Sequence, residues 1–162
     1  MFHHFDLRCL KPKKPPQPIE FLYLQHYMDL DSCDISRWIF NDCDLRESNF
    51  KDAIMNKTSF CYGTNLSFCD FSGCDLRTVD LLLTYHAYFS IFVNANLRGL
   101  DLSRMHLEGA KFNNADLRGV NFRGAHLGGA VFSGARTEGF ELFFEFAGGV
   151  QLPVASYEKE AS

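Results

Sequence analysis

The chain has 162 residues with 16 basic and 20 acidic side chains, which allows one domain with a sizeable core, and the mild negative balance identifies no partner. The sequence contains no apolar run of the roughly 18 residues that a membrane-spanning helix requires, so no membrane span is expected. The N-terminal stretch MFHHFDLRCL is too short and polar for a secretory signal.

Residues 1–28 are predicted to form an N-terminal extension, a linker and a cap. Lys11 to Pro18 holds four prolines and three lysines in eight residues, which is typical of an extended, solvated connector. A strap that docks on an acidic or aromatic-lined partner is the alternative interpretation. The apolar stretch from Ile19 to Met28 is expected to cover the start of the region that follows, because the end of a repeat array exposes core and unpaired backbone.

From Leu30 onwards, an apolar residue, most often Leu or Phe, recurs every five residues. The pattern is most regular over residues 95–132, which read ANLRG, LDLSR, MHLEG, AKFNN, ADLRG, VNFRG, AHLGG and AVF. The residue two positions before each central Leu or Phe is apolar and usually small. A period of five fits neither the 3.6-residue period of an α-helix nor the two-residue period of a flat strand.

This pattern resembles the consensus A-(D/N)-L-x-x of the pentapeptide-repeat family. The resemblance implies an all-β fold, a right-handed quadrilateral β-helix with one pentapeptide on each side and four in each coil. The β-helix would span residues 29–142, with short caps at both ends. Its central residues and the residues two positions before them would face inward, and coils about 4.8 Å apart would stack as a solenoid.

The five-residue register is interrupted twice. One residue is inserted near Cys61 to Thr64, and a second one-residue slip lies within Leu82 to Val93. A strict count turns His86 inward and makes Ile91 a central residue, although Phe92 is an equally good centre. A bulge or small protrusion is therefore predicted here.

The cysteines favour a reducing compartment. Four of the six occupy the small inward position of the repeat, and the chain has no C-x-x-C pair; they are Cys33, Cys43, Cys69 and Cys74. We expect buried, reduced thiols in these positions and, with no span or signal, a cytoplasmic protein.

Residues 143–162 are predicted to form a C-terminal cap and tail, and they carry more apolar surface than one cap requires. The candidate residues for self-association are Phe143, Phe144, Phe146, Val150 and Leu152. The family resemblance offers a precedent for two-fold dimers through the C-terminal end, so a homodimer is expected.

Stacked coils would place two sets of charged residues in columns on the surface. The first column holds Arg77, Arg98 and Arg118 beside Asp75, Asn96 and Asp116; the second holds Asp80, Asp101, Asn121 and Glu141. The first column is either an anion-binding strip or, as we expect, a self-neutralised surface of little consequence for stability. Asp80, Asp101, Glu141 and the three arginines are the candidate interaction surface.

No catalytic residue, metal site or cofactor is predicted. His106 and His126 lie one coil apart with Glu108 close by, but two imidazoles alone do not make a metal site and no third ligand is evident in the sequence. The glycines recur at the corner of the repeat, where a positive φ is useful, and they form no phosphate-binding motif.

The leading hypothesis is a non-enzymatic protein-interaction or scaffold module that uses the faces of the rod. The family resemblance suggests an alternative, a mimic of duplex DNA that binds and protects DNA gyrase or topoisomerase against quinolones or toxins. A rod of roughly 28 Å would need about 16 negative charges to match DNA. Residues 29–142 contain 15 acidic and 11 basic side chains, which falls well short. Direct nucleic-acid binding is not expected.

Overall fold

The computed structural model describes residues 5–6, 20–23, 27–81 and 83–139. Five short strands occur near the N-terminal end: β1 (Phe5–Asp6), β2 (Glu20–Leu22), β3 (Met28–Asp29), β4 (Ile39–Asn41) and β5 (Ser59–Cys61). β1 pairs with β3, and β2, β4 and β5 form a three-stranded sheet in that order. Every one of these pairs is parallel.

Beyond the strands, single-residue parallel bridges connect most of the described pentapeptides to the one a full coil away. Bridged residues such as Asp101 and Asn121, or Asn49 and Asp70, are 20 or 21 positions apart, so each coil contains four pentapeptides. The predicted β-helix is confirmed.

Each corner of a coil is a tight turn whose geometry explains the period of five. The amide of Cys33 donates to the carbonyl of Leu30 over 3.0 Å, and the same bond recurs along the rod. The residue before the donor has a positive φ, for example 57° at Ser32 and 68° at Gly119, as a type II turn requires. A chain that makes this turn every five residues brings every central side chain to the same interior.

The interior is filled by the central residues of successive coils. Phe50, Phe71, Phe92, Phe112 and Phe132 form a continuous column of stacked rings with centroids 5.0 to 5.4 Å apart. The spacing of the column is close to the spacing of the coils, so each coil contributes one ring to this part of the core.

At several of the small inward positions, the side chain donates a hydrogen bond to the preceding coil. Sγ of Cys74 lies 2.9 Å from the carbonyl oxygen of Phe50, and Oγ of Ser90 lies 2.7 Å from that of Leu66. The expected burial of Cys33, Cys43, Cys69 and Cys74 is confirmed. Burial raises the pKa of the Cys69 thiol, and it raises the pKa of the Cys74 thiol to about 12.

The structure locates both insertions and corrects one prediction. The first insertion lies in the expected stretch Cys61 to Thr64, because Cys61 pairs with Asn41, 20 positions earlier, whereas Asn65 bridges Asp44, 21 positions earlier. The second inserted residue is Tyr85. His86 therefore lies half-buried on a bridge ladder, the row of bridged residues that here joins Asn65, His86 and His106. Ala87 is the buried central residue. The prediction that a strict count turns His86 inward is therefore wrong, because an exposed insertion avoids burying an imidazole without a partner.

The correction also decides the centre of the next pentapeptide. Ile91 lies on a bridge ladder and Phe92 is the buried centre.

Within the described ranges, no helix is long and apolar enough to cross a membrane.

Candidate functional site

One side of the rod exposes a group of large apolar side chains, which we call the aromatic surface. Its members border the pentapeptides that bridge at Asn65 and His86, and each is between 41% and 58% exposed: Tyr62, Phe68, Leu83, Tyr85 and Phe89. The backbone amide of Gly63 donates a hydrogen bond to the carbonyl oxygen of Leu83 over 3.1 Å, which aligns the two coils at one edge of the aromatic surface.

At the other edge, the rings of Phe68 and Phe89 stack with centroids 5.3 Å apart and an interplanar angle of 11°. Both residues occupy the positive-φ position of their turns, with φ of 63° and 55°, which directs their side chains away from the core. The sequence analysis did not identify this surface. The signal was present, because Phe stands twice at a corner where Gly, Asn and Asp are the residues best suited to positive φ.

The insertion of Tyr85 opens a cleft next to the aromatic surface. The cleft has a volume of about 470 Å³ and lies between two successive coils; its lining includes Leu81, Thr84 and Tyr85 from one coil and Leu100, Asp101 and Met105 from the next. Among the described residues, no backbone hydrogen bond links Leu81 to Asp101, whereas Leu102 donates to Asn121 over 2.8 Å one coil further on.

A ladder of three histidines continues along the same side of the rod. His86 bridges His106, and His106 bridges His126. The rings of His86 and His106 have centroids 5.6 Å apart, and those of His106 and His126 only 4.4 Å. The ring of Tyr88 packs on His106 at 5.2 Å.

Glu108 joins this ladder through its carboxylate. Oε1 lies 3.3 Å from Nδ1 of His106 and 3.9 Å from Nδ1 of His126. Oε2 is buried and has no hydrogen-bond partner in the described structure. One ligand atom from each of the three residues lies within 4.8 Å of the others. The sequence showed the two imidazoles, but only the turn after His106 brings the carboxylate between them.

The arginines of the first predicted column pair inside their own pentapeptides. Nη2 of Arg77 lies 2.7 Å from Oδ2 of Asp75, and Nη2 of Arg118 lies 2.5 Å from Oδ2 of Asp116. The hydrogen bond from Arg118 lowers the pKa of Asp116 to about 2, and that from Arg77 lowers the pKa of Asp75. Arg98 follows Asn96, whose Oδ1 accepts from the Arg98 amide over 3.3 Å.

The second predicted column is only partly described. Asp80 and Asp101 are exposed, and Oδ1 of Asp101 accepts from Nδ2 of Asn121 over 3.0 Å. Glu141 lies outside the described residues, as do the residues proposed for self-association: Phe143, Phe144, Phe146, Val150 and Leu152.

A family model describing pentapeptide repeats matches the chain in eight copies, over residues 29–61, 39–81, 90–129 and 115–136. The chain belongs to the pentapeptide-repeat family. No curated protein sequence matches it. The shared feature is the repeat that builds the four-pentapeptide coil, and the residues of the aromatic surface lie at positions that the repeat leaves variable.

Solved structures of pentapeptide-repeat proteins resemble this one in fold. Rfr23 from the cyanobacterium Cyanothece 51142 is 20% identical, over 78% of this chain and 88% of that one, with a TM-score of 0.35. QnrB1, a plasmid-mediated fluoroquinolone resistance protein, is 19% identical over 79% of each chain, with a TM-score of 0.39. A pentapeptide-repeat protein of the Arabidopsis thaliana thylakoid lumen is 25% identical, over 72% of this chain and 60% of that one, with a TM-score of 0.29.

Proposed function

We propose that this protein is a non-enzymatic protein-interaction module and that the aromatic surface is the part that contacts a protein partner. The observation that carries the proposal is the stacked pair Phe68 and Phe89, whose side chains remain about half exposed on a rod whose core is otherwise filled. Exposed aromatic side chains that cluster on one side are characteristic of binding surfaces, because they contribute a large contact area at a low entropic cost.

The surface also has the composition expected at the centre of an interface. Tyr62, Tyr85 and the two phenylalanines provide rings, and Leu83 adds aliphatic area between them. None of the five side chains carries a formal charge at neutral pH, so burying them against a partner desolvates few strongly hydrated groups. A β-helix holds these side chains on a rigid backbone, which reduces the entropy lost on binding.

The alternative proposal, a DNA mimic that protects gyrase or topoisomerase, receives less support from the charges. Residues 29–139 carry 14 acidic and 11 basic side chains. Three of the acidic residues, Asp44, Asp75 and Asp116, form ion pairs with arginines two positions later. A mimic of duplex DNA requires a continuous series of unneutralised negative charges along the rod.

We also retain the sequence-based proposals of a cytoplasmic location and of a homodimer formed through the C-terminal end. Both are compatible with an interaction module. A dimer would present two aromatic surfaces to one partner and so raise the effective affinity. The dimer is tested by sedimentation of the full chain across concentration, and a strict monomer would overturn that part of the proposal.

The function is tested by comparing the wild-type chain with the variant Phe68→Asn/Phe89→Asn and with the control Ile54→Asn. Asn accepts a positive φ, so the double variant keeps the turns. Ile54 is 50% exposed on a different bridge ladder, so its replacement removes a similar kind of surface elsewhere.

The three proteins are used to capture partners from the native cell, and each captured protein is then titrated directly against the purified chains. We expect the double variant to lose at least about tenfold in affinity while Ile54→Asn binds like wild type. Equal binding by all three chains would refute the role of the aromatic surface. Protection of gyrase supercoiling from a fluoroquinolone by the wild type and the double variant alike would favour the mimic instead.

A further inference from the structure

We propose that His106, Glu108 and His126 form a binding site for a divalent transition metal ion, with Zn²⁺ as the best-suited ion. This inference is independent of the proposed protein interaction. It rests on the three side chains that the β-helix brings together, two from bridged positions on successive coils and one from the turn that follows the first.

The distances are close to those of a bound ion. Two ligand atoms at about 2.0 to 2.1 Å from a tetrahedral Zn²⁺ are about 3.4 Å apart. Oε1 of Glu108 lies 3.3 Å from Nδ1 of His106, and the contact with Nδ1 of His126 is 3.9 Å. All three donor groups lie within 4.8 Å of one another, so a rotation of the imidazole of His126 out of its stack on His106 would complete the set.

A second observation, the environment of the Glu108 carboxylate, favours a cation at this position. Oε2 of Glu108 is buried and has no hydrogen-bond partner in the described structure, so one carboxylate oxygen has lost its water without receiving a donor. Such a group is costly in a folded protein. A cation beside this carboxylate would compensate the loss, and an exposed ion pair between Glu108 and one imidazole would not explain why this oxygen is buried.

The surroundings hold the imidazole of His106 in place, whereas the imidazole of His126 is 58% exposed and has room to rotate. The ring of Tyr88 packs on the ring of His106 with centroids 5.2 Å apart, and Oε1 of Glu108 lies 3.3 Å from its Nδ1. Packing of this kind around a ligand orients it before the metal binds and so increases affinity.

The ligand chemistry selects the class of ion. Two imidazoles and one carboxylate suit Zn²⁺, Cu²⁺ or Ni²⁺, whereas Ca²⁺ and Mg²⁺ prefer oxygen ligands alone. The side chains of His106, Glu108 and His126 are 32%, 33% and 58% exposed, so water has access to a fourth coordination position.

The test is isothermal titration of the full chain with Zn²⁺ in a His3→Asn/His4→Asn background, which removes the adjacent histidines near the N-terminus as competing ligands. We expect one equivalent of Zn²⁺ to bind and the melting temperature to rise, because the metal binds the folded state. His126→Ala and Glu108→Gln should each weaken binding by at least about tenfold.

The matched control is His86→Asn, since His86 belongs to the same ladder but not to the ligand set, and it should bind Zn²⁺ as the background does. A titration with Co²⁺ gives a second readout, because its visible absorption depends on coordination geometry. The melting temperature without metal confirms that each variant folds. The proposal is overturned if the background fails to bind Zn²⁺ at about 1 mM, or if His126→Ala and Glu108→Gln bind as tightly as His86→Asn.

Discussion

The ring of Phe89 lies directly over Gly109 of the next coil, so close that a Cβ added to the glycine would stand 2.3 Å from Cδ1 of the ring. Both residues occupy the positive-φ corner of their turns, at 55° and 70°. The absence of a side chain at Gly109 therefore leaves the space in which Phe89 stacks on Phe68. A corner glycine of one coil thus positions an aromatic side chain of the coil before it.

This contact predicts that Gly109→Ala will displace the ring of Phe89 and destabilise the fold. Gly99→Ala is the control, because its φ is 72° and an added Cβ would meet nothing within 4 Å. Backbone strain alone should lower the free energy of unfolding of the control by about 1 to 2 kcal/mol. Gly109→Ala should lower it by about 0.5 to 1.5 kcal/mol more, because the stacked rings of Phe89 and Phe68 separate. Urea unfolding of the two variants measures the difference, and equal losses would contradict the contact.

The narrow interior predicts a strong size limit at Ala115, which is fully buried at the small inward position. Ala115→Phe should overpack the coil and lower the free energy of unfolding by at least about 1 to 3 kcal/mol. Lys111→Phe is the control, because Lys111 is exposed on a ladder between Ile91 and Val131 and should change stability by well under about 1 kcal/mol. Thermal melts that show equal effects would contradict the inward assignment of Ala115.

The buried thiol of Cys74 predicts a loss of stability in alkali. Burial raises its pKa from 9.0 to about 12, so in the folded state the thiol remains neutral where the unfolded thiol ionises. Its contribution to stability is therefore complete below pH 9.0 and is lost between pH 9.0 and about 12, at about 1.4 kcal/mol per pH unit.

Cys74→Ala tests this effect, because Ala suits the inward position and cannot ionise. Urea unfolding at about pH 8 and about pH 10.5 should show a smaller loss of stability for the variant than for wild type. Parallel losses in both proteins would mean that other groups cause the alkaline transition.

The cleft beside Tyr85 predicts local opening of the rod. The amides of Leu81 and Asp101 have no backbone hydrogen bond to each other's coil within the described structure, whereas those of Leu102 and Asn121 donate over 2.8 and 3.1 Å. Native-state hydrogen exchange should therefore be faster at Leu81 and Asp101 than at Leu102 and Asn121, by about tenfold or more. Comparable protection at all four amides would show that the two coils are joined at this point.

The five-residue period, together with the resemblance to the pentapeptide-repeat consensus that it carries, was sufficient to predict the fold of this protein. A chain that must bury every fifth side chain and expose the residues between has to turn at the same interval, and each turn uses only local backbone geometry. For that reason the β-helix, the buried central residues such as Phe112 and the inward thiols such as Cys74 were predictable. Local physics also places the Asp75–Arg77 pair, since its two members lie on one pentapeptide.

The position of the second insertion was not predictable, because His86 and Ala87 compete for the same inward place and local sequence favours neither. Only the packed interior decides between them, since it accepts a methyl group and not an unpartnered imidazole. The stack of Phe68 and Phe89 depends on this decision, whereas the His106, Glu108 and His126 cluster lies in later coils and does not. Their residues are 20 or more positions apart or lie around a corner, so the stacking of coils, and not the period itself, determines which of them meet.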